Sequence, residues 1–550
     1  MIISEGRPGR IVVPEGAGVT MQFAAEQLGF YLAMLTGTET RSTEGWRFEL
    51  VMDEALGREE AEVEVGKDCT NLRSGSEAGA LQGVYQFLGR LAGIQWLNPL
   101  EGDELIPRHE ELILPEGTYG FRPRFAERAF TNYPVIDADT ARFVDWMAKR
   151  GFNGYVVNPQ WPGAWEAYKT HLREPMMLRG MKASLGHHTI EYWLPAEEFF
   201  GEHPEYFALI VGERRADGQV CTSNPEVRRI VAERALEFLG ENPEGAEVGM
   251  WPRDGFGWCE CERCVAEEEQ SPSWWDAKVP RRTDTYLRFV NAVAEKIGEA
   301  RPDVTVTALA YVNYVEPPRV ERPAANVAVY FAPFLRCVKH ALNDRGCLRR
   351  NPDYAKMLGQ WHEVTAGSLR MFLYLMQIDM GALPLRITEM LPRNFEFMAR
   401  AGVDGYVMEY VPEEWGTYGA NAHLMAELSW VRTQTLRQAQ GAFGEVRPVG
   451  GEAMLAPYYE AIYGEAAGEM AAYFRRLIDD FVETGPCTGH YDKTYARRAT
   501  VELLRPALEH LGRARALSAS SKAAWKAVEE AHLAAERLMK VGEEERRSDG

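Results

Sequence analysis

From about residue 119 the chain alternates short apolar runs with longer amphipathic stretches, and this rhythm is its most informative feature. Eight β-leaning runs recur: Phe125 to Phe130, Gly154 to Val157, Lys182 to Leu185, Glu247 to Trp251, Val304 to Tyr311, Val327 to Phe331, Met371 to Met376 and Gly405 to Tyr410. Between them lie stretches with helical spacing of apolar residues, among them Ala138 to Arg150, Pro225 to Leu239, Thr285 to Ala300, Asp353 to Val364 and Leu391 to Ala401. Each is long enough for a crossover helix, and strand–helix alternation repeated eight times is the order of a TIM (β/α)8 barrel. An open doubly wound sheet is the competing arrangement, but no Gly-rich phosphate fingerprint follows the first run.

The flanks differ from this centre. Residues 1–118 mix β-rich runs (Arg10 to Val13, Phe48 to Met52) with helical patterns (Met21 to Leu35, Gly79 to Leu91), the mark of a small α/β domain. After about residue 435 the β-leaning runs stop, and a stretch rich in Ala, Leu, Glu and Arg runs from Thr500 to Val541. The expected organisation is therefore a small α/β domain over 1–118, a barrel over 119–435 and a helical region over 436–550, with the last residues, GEEERRSDG, frayed.

Composition narrows the partners. With 61 Lys plus Arg against 81 Asp plus Glu, the formal charge of −20 opposes binding to nucleic acid. Neutral sugars impose no such requirement, and 14 Trp supply flat apolar faces for stacking on pyranose rings. No secretion signal opens the sequence and no run of 18 apolar residues could span a bilayer, so a cytoplasmic protein that avoids membranes is expected. The sequence leaves oligomeric state open and calls for no cofactor.

Barrel enzymes carry their reactive groups on the loops after the strand C-termini, so those ends are where chemistry is expected. The first run carries Glu127 and Arg128; the second ends at Asn158 with Trp161 beyond; the third runs into His187 and His188. The fourth places Trp251, Arg253 and Asp254 at the rim, the fifth Tyr311, Asn313 and Tyr314, the seventh Tyr374, Gln377 and Asp379. The eighth carries Glu409, with Glu413, Glu414 and Trp415 following. Glycosidic cleavage needs one acid to protonate the leaving oxygen and a second group to stabilise or attack the oxocarbenium ion. Asp254 is the first candidate acid; Glu409 is the second, because a carboxyl at a partly dry rim has a raised pKa, and Asp379 is a third carboxylate. Arg128, Asn158, His187, His188, Trp251, Arg253, Tyr311, Tyr374 and Trp415 are candidate substrate contacts, and Trp274 and Trp275 a candidate stacking platform. Each acid could instead be an Arg-paired structural group.

No HExxH or comparable motif suggests a catalytic metal. Cys259, Cys261 and Cys264 supply three of four ligands for a structural zinc, with Cys221 or a His as the missing fourth; a loop-bracing disulfide or free thiols are the expected state. Cys337 and Cys347 form a similar spaced pair.

Several segments, GALQGVYQFLGRLAGIQWLNP, HPEYFALIVGERR, QVCTSNPEV, PRDGFGWCECERC, TYLRFVNAVAEKI, TALAYVNYVEPP and CVKHALNDRGC, occur in the order found in the glycoside hydrolase family 163 type, which the chain resembles. The first looks like the end of the non-catalytic α/β domain that precedes the barrel in that family, in β-hexosaminidases and in α-glucuronidases. The resemblance implies endo-β-N-acetylglucosaminidase-like action, with retention and the substrate 2-acetamido group as internal nucleophile. Asp254 falls at the family's position after strand four, where β-hexosaminidases have an adjacent Asp-Glu pair and this chain reads Arg253-Asp254. An exo-acting α-glucuronidase-like enzyme, for which Arg128, Arg253 and Arg336 would receive the uronate, and a non-catalytic carbohydrate-binding barrel are the alternatives.

Overall fold

The computed structural model describes the chain except residues 1, 5–8, 38–44, 100–102, 133–134, 244, 268–270, 275, 277, 375–386, 411–414, 437–443, 446–450, 484–485, 490–493 and 549–550. Its centre is a closed barrel of eight parallel strands in sequence order. They are β1 (Glu127–Asn132), β2 (Gly154–Val157), β3 (Lys182–Leu185), β4 (Glu247–Gly249), β5 (Thr305–Ala310), β6 (Val327–Phe331), β7 (Leu369–Tyr374) and β8 (Gly405–Tyr410). Closure is made by β8 on β1, with Glu409 opposite Thr131. Every position of β2, β6 and β7 is buried, because one face meets the barrel interior and the other the outer helices. That double burial is why these strands read as continuous apolar runs.

The crossover helices bury one stripe each. Thr283–Ala300 buries Tyr286, Leu287, Phe289, Val290, Val293, Ala294 and Ile297, the three-to-four spacing of a helix face. Ala138–Lys149 starts on a capping box in which Asp137 accepts from the Thr140 N–H and the Thr140 side chain answers the Asp137 backbone.

A seven-stranded sheet flanks the barrel. Its order runs Gly9–Val12, Trp46–Met52, Cys69–Ser74, Ala61–Val65, Gly117–Pro123, Trp430–Leu436 and Gly444–Glu445. The chain thus returns to this sheet after β8: Trp430–Leu436 pairs antiparallel with Gly117–Pro123 along its whole length. The long C-terminal stretch forms two helices, Val501–Leu517 and Lys522–Ser548, separated at Ser518–Ser520. The chain is helical up to Ser548, whereas the sequence predicts fraying over residues 542–548. Arg546 donates to the Arg497 and Ala499 carbonyls at 2.6 and 3.3 Å, which ties the final turns down. Among the described residues no helix is long and apolar enough to cross a membrane.

The N-terminal end of the barrel is closed by a cluster of charged side chains. Glu127 and Glu247, the first residues of β1 and β4, converge on Arg370 of β7. Arg370 donates to both Glu247 oxygens at 2.8 Å and to the Tyr330 hydroxyl at 2.9 Å, while that hydroxyl donates to Glu127. Burial pushes the Glu127 carboxyl up to about 7 against the pull of Arg370. For Glu247 burial acts the same way but is outweighed by Arg370, so its carboxyl sits below the usual range. Glu127 therefore belongs to the floor opposite the mouth.

Arg128 is also corrected. The next residue of β1 points outward and is fully buried, donating to the Gly151 and Phe125 carbonyls at 2.6 Å each. Its guanidinium pairs with Glu59 of the flanking α/β region and lies 5.0 Å above the Trp430 ring. Alternation along a strand puts neighbours on opposite faces, so Arg128 fastens the barrel to the sheet and has no access to a ligand at the mouth.

Candidate active site at the barrel mouth

At the C-terminal end of the strands the structure brings together Asn158, His187, His188, Asp254, Tyr311, Tyr374 and Glu409. Glu409, the penultimate residue of β8, lies opposite Tyr374 of β7. Burial raises its carboxyl to about 7, and the nearby Asp254 carboxylate pushes in the same direction. Asp254 itself is exposed, on a turn completed by Gly255 at φ +107°. Its charge also reaches Tyr374, Tyr314 and His188, so it faces the centre of the mouth. Burial, Tyr311, Glu409 and Asp254 together raise the Tyr374 phenol well above its ordinary range and keep it protonated.

His187 has φ +68°, a backbone conformation that a residue with a Cβ adopts at a cost. Its neighbour Gly186 accommodates the turn, since a Cβ there would lie 2.5 Å from Val156 Cγ1. The His187 ring tilts against Trp251 at 5.9 Å and meets Phe372 edge-on at 5.8 Å. Burial, then the adjacent His188, holds its pKa well below the usual value, so the imidazole is neutral at pH 7. Its Nδ1 is buried with no hydrogen-bond partner among the described residues, and the same holds for Asn158 Nδ2 at the end of β2. Asn158 Oδ1 is engaged, accepting from the Gln160 N–H at 3.0 Å. Buried polar atoms are ordinarily paired, so two unpaired ones at neighbouring strand ends mark a place where a ligand's hydroxyls fit.

Other sequence candidates hold the site rather than line it. His188 Nδ1–H donates to the Pro252 carbonyl and fixes the loop that carries Asp254. Arg253 pairs with Glu191 at 2.6 Å, and its backbone is clamped at both ends by the Gln219 amide at 2.7 and 2.9 Å. Trp251 is corrected from a contact to a floor residue: it is 1% exposed and its indole N–H donates to Thr307 at 3.1 Å inside the barrel. Trp415 is corrected likewise, because it starts the outer helix after β8, donates to the Leu97 carbonyl at 3.2 Å and meets Trp146 edge-on at 4.7 Å. That ring borders a cavity of about 590 Å³ between Leu97, Tyr458 and Lys526, away from the mouth. Trp274 is half-buried, under the Arg350 guanidinium at 4.8 Å and beside Tyr354 at 5.3 Å. Trp275, Gln377, Asp379, Glu413 and Glu414 lie outside the described residues.

Arg336, in the loop after β6, is buried close to Tyr374 and forms no ion pair with a carboxylate among the described residues. The rings of Phe334 and Tyr311 meet 5.4 Å apart, and Phe334 meets Tyr374 at 5.6 Å, giving an aromatic wall.

The thiols Cys259, Cys261 and Cys264 do converge, and Cys221 completes a set of four ligand atoms within 4.8 Å of one another. None of the four is in a disulfide, so of the two expected states, a loop-bracing disulfide or unpaired cysteines, the structure shows the second. A second set, Cys337, His340, Cys347 and Cys487, is equally close; His340 and Cys487 escaped the sequence reading because one is a lone His and the other lies 140 residues beyond Cys347.

Residues 101–473 match the model of a family described as Domain of unknown function (DUF4838). No curated protein matches the sequence. Among solved structures, one described as a family GH115 4-O-methyl-α-glucuronidase, BtGH115A, with specificity for decorated arabinogalactans superposes with a TM-score of 0.62 at 10% identity, covering 98% of this chain and 73% of that one. A second, described as a GH138 enzyme targeting pectin rhamnogalacturonan II, gives 0.59 at 9% identity over 97% of this chain and 86% of its own. A third, CpGH84B, gives 0.56 at 10% identity over 98% and 87%. At these identities the likeness establishes the barrel fold with its flanking regions.

Proposed function

The chain belongs to that family of unknown function, and from this premise we propose that it is a glycoside hydrolase working at the barrel mouth, with Glu409 as general acid and Asp254 as its partner carboxylate. The observation that carries this reading is Glu409: a carboxyl at the end of β8 held near pH 7 by burial and by a second carboxylate. Such a group is still protonated in about half of the molecules at pH 7, where an ordinary carboxyl is ionised, and delivers that proton to the glycosidic oxygen as the bond breaks. Asp254, on the opposite loop, supplies negative charge to the developing oxocarbenium ion or orients the substrate acetamido group. The two roles are thereby exchanged relative to the sequence expectation, since the drier group is the better acid. Asn158 Nδ2 and His187 Nδ1 receive hydroxyls, and the Tyr311–Phe334–Tyr374 wall receives an apolar sugar face.

For the substrate, a β-linked N-acetylglucosamine cleaved with retention suits this wall, which also offers an apolar seat for an acetamido methyl. Arg336 favours a second reading, an exo-acting enzyme on a uronate, because a buried cation with no carboxylate partner among the described residues is a seat for an anionic sugar. Turnover of aryl β-N-acetylglucosaminides against aryl α-glucuronides separates the two. Arg336→Gln abolishes selectivity only in the uronate case. Absence of turnover across a broad panel of glycosides and oligosaccharides, with sugar binding retained, would make the barrel a binding protein and reject the proposal.

A further inference from the structure

We propose that the chain holds two structural zinc ions, one on Cys221, Cys259, Cys261 and Cys264 and the other on Cys337, His340, Cys347 and Cys487. In each set the four ligand atoms lie within 4.8 Å of one another. The edge lengths carry the argument. A tetrahedral zinc with Zn–S of about 2.3 Å and Zn–N of about 2.05 Å separates its sulfurs by about 3.8 Å and nitrogen from sulfur by about 3.6 Å. The Cys221 sulfur is 3.7 Å from both Cys261 and Cys264. In the second set Cys347 and Cys487 are 3.8 Å apart, and His340 Nδ1 is 3.3 and 3.6 Å from Cys337 and Cys487.

The surroundings are those of thiolates rather than of packed thiols. The Leu209 N–H points at Cys259 Sγ at 3.3 Å, Arg214 reaches the same sulfur at 3.7 Å, and Ser223 lies 3.0 Å from Cys264. These donors offset the negative charge of a four-thiolate centre. At the second set, Asn351 pins the ligand loop: its Nδ2 lies 3.1, 3.0 and 3.1 Å from the Cys337, His340 and Ala341 carbonyls, and its Oδ1 accepts from the Cys337 N–H at 2.7 Å. Binding exchanges thiol protons for Zn²⁺ without electron transfer, and zinc prefers four such N and S ligands when the site is closed.

Each centre would fasten a loop of the mouth. The first closes the segment after β4 that carries Asp254. The second joins the loop after β6, which carries Arg336, to Cys487 in the C-terminal helical region, adding to the Val338 N–H to Thr488 carbonyl bond of 2.8 Å.

The test is metal content of the protein purified without chelator, by mass spectrometry of the digested sample. Two zinc per chain are expected, falling to one in Cys264→Ser and to one in Cys487→Ser. For variants that fail to fold, the wild-type protein decides: an organomercurial that titrates the thiols should release two zinc per chain to a chromophoric chelator. Less than one zinc per folded chain, iron in place of zinc, or a Cys347–Cys487 disulfide in the peptide map overturns the proposal. One zinc per wild-type chain overturns the second site if Cys487→Ser keeps it and the first if Cys487→Ser loses it.

Discussion

At the residue scale the chemistry turns on one carboxyl whose surroundings, not its identity, set its behaviour. Glu409 titrates near 7 when folded and near 4.5 when unfolded, so the native state binds its proton more strongly. Its ionisation therefore costs stability as pH rises from about 4.5 through 7, and Glu409→Gln should lessen that loss in denaturant midpoints measured across this range. Glu127 shifts in the same direction, so part of the slope should survive. Asp254→Asn should lower turnover by roughly a hundredfold or more and, by removing a negative charge beside Glu409, move the alkaline limb of the rate profile to lower pH. An unmoved limb would separate the two carboxylates. His187→Ala should raise KM more than it lowers kcat, since the neutral ring offers a hydrogen bond to a bound hydroxyl rather than a proton to the leaving group.

Among the elements, the eight strands and their crossover helices were legible because both faces of a barrel strand are buried and each helix buries a single stripe. The face of a given residue was not. Arg128 and Glu127 are adjacent, yet one leaves the barrel to meet Glu59 and the other enters its floor, and both sit at the strand end away from the mouth. Trp415 follows β8 directly and still turns away, because it opens a helix that packs on Trp146. Asp254, Glu409, Asn158 and His187 were legible as strand-end polar residues, whereas Arg336's burial and the His340–Cys487 convergence depend on contacts between distant segments. Arg128→Met leaves Glu59 buried without its cation and should destabilise the fold by about 3–5 kcal/mol, read as a shift in urea midpoint. Turnover below that midpoint should stay near wild type, because the guanidinium is remote from the mouth.

At the scale of the whole molecule, the barrel supplies rigidity and the flanking regions lock its loops. The chain crosses from the first sheet into the barrel at Gly117–Pro123 and comes back beside that strand at Trp430–Leu436, so the two ends of the barrel are bound into one sheet. The helical region then reaches the mouth through the segment around Cys487. This architecture fixes the acid on a strand while its partner rides on a braced loop. The most direct test is the pH dependence of kcat for wild type and Glu409→Gln on a hydrolysed glycoside. The account predicts an alkaline limb with a midpoint near 7 in the wild type, and in the variant a rate reduced about 10²–10⁴-fold with that limb gone. A variant that keeps wild-type turnover and the same limb would contradict it.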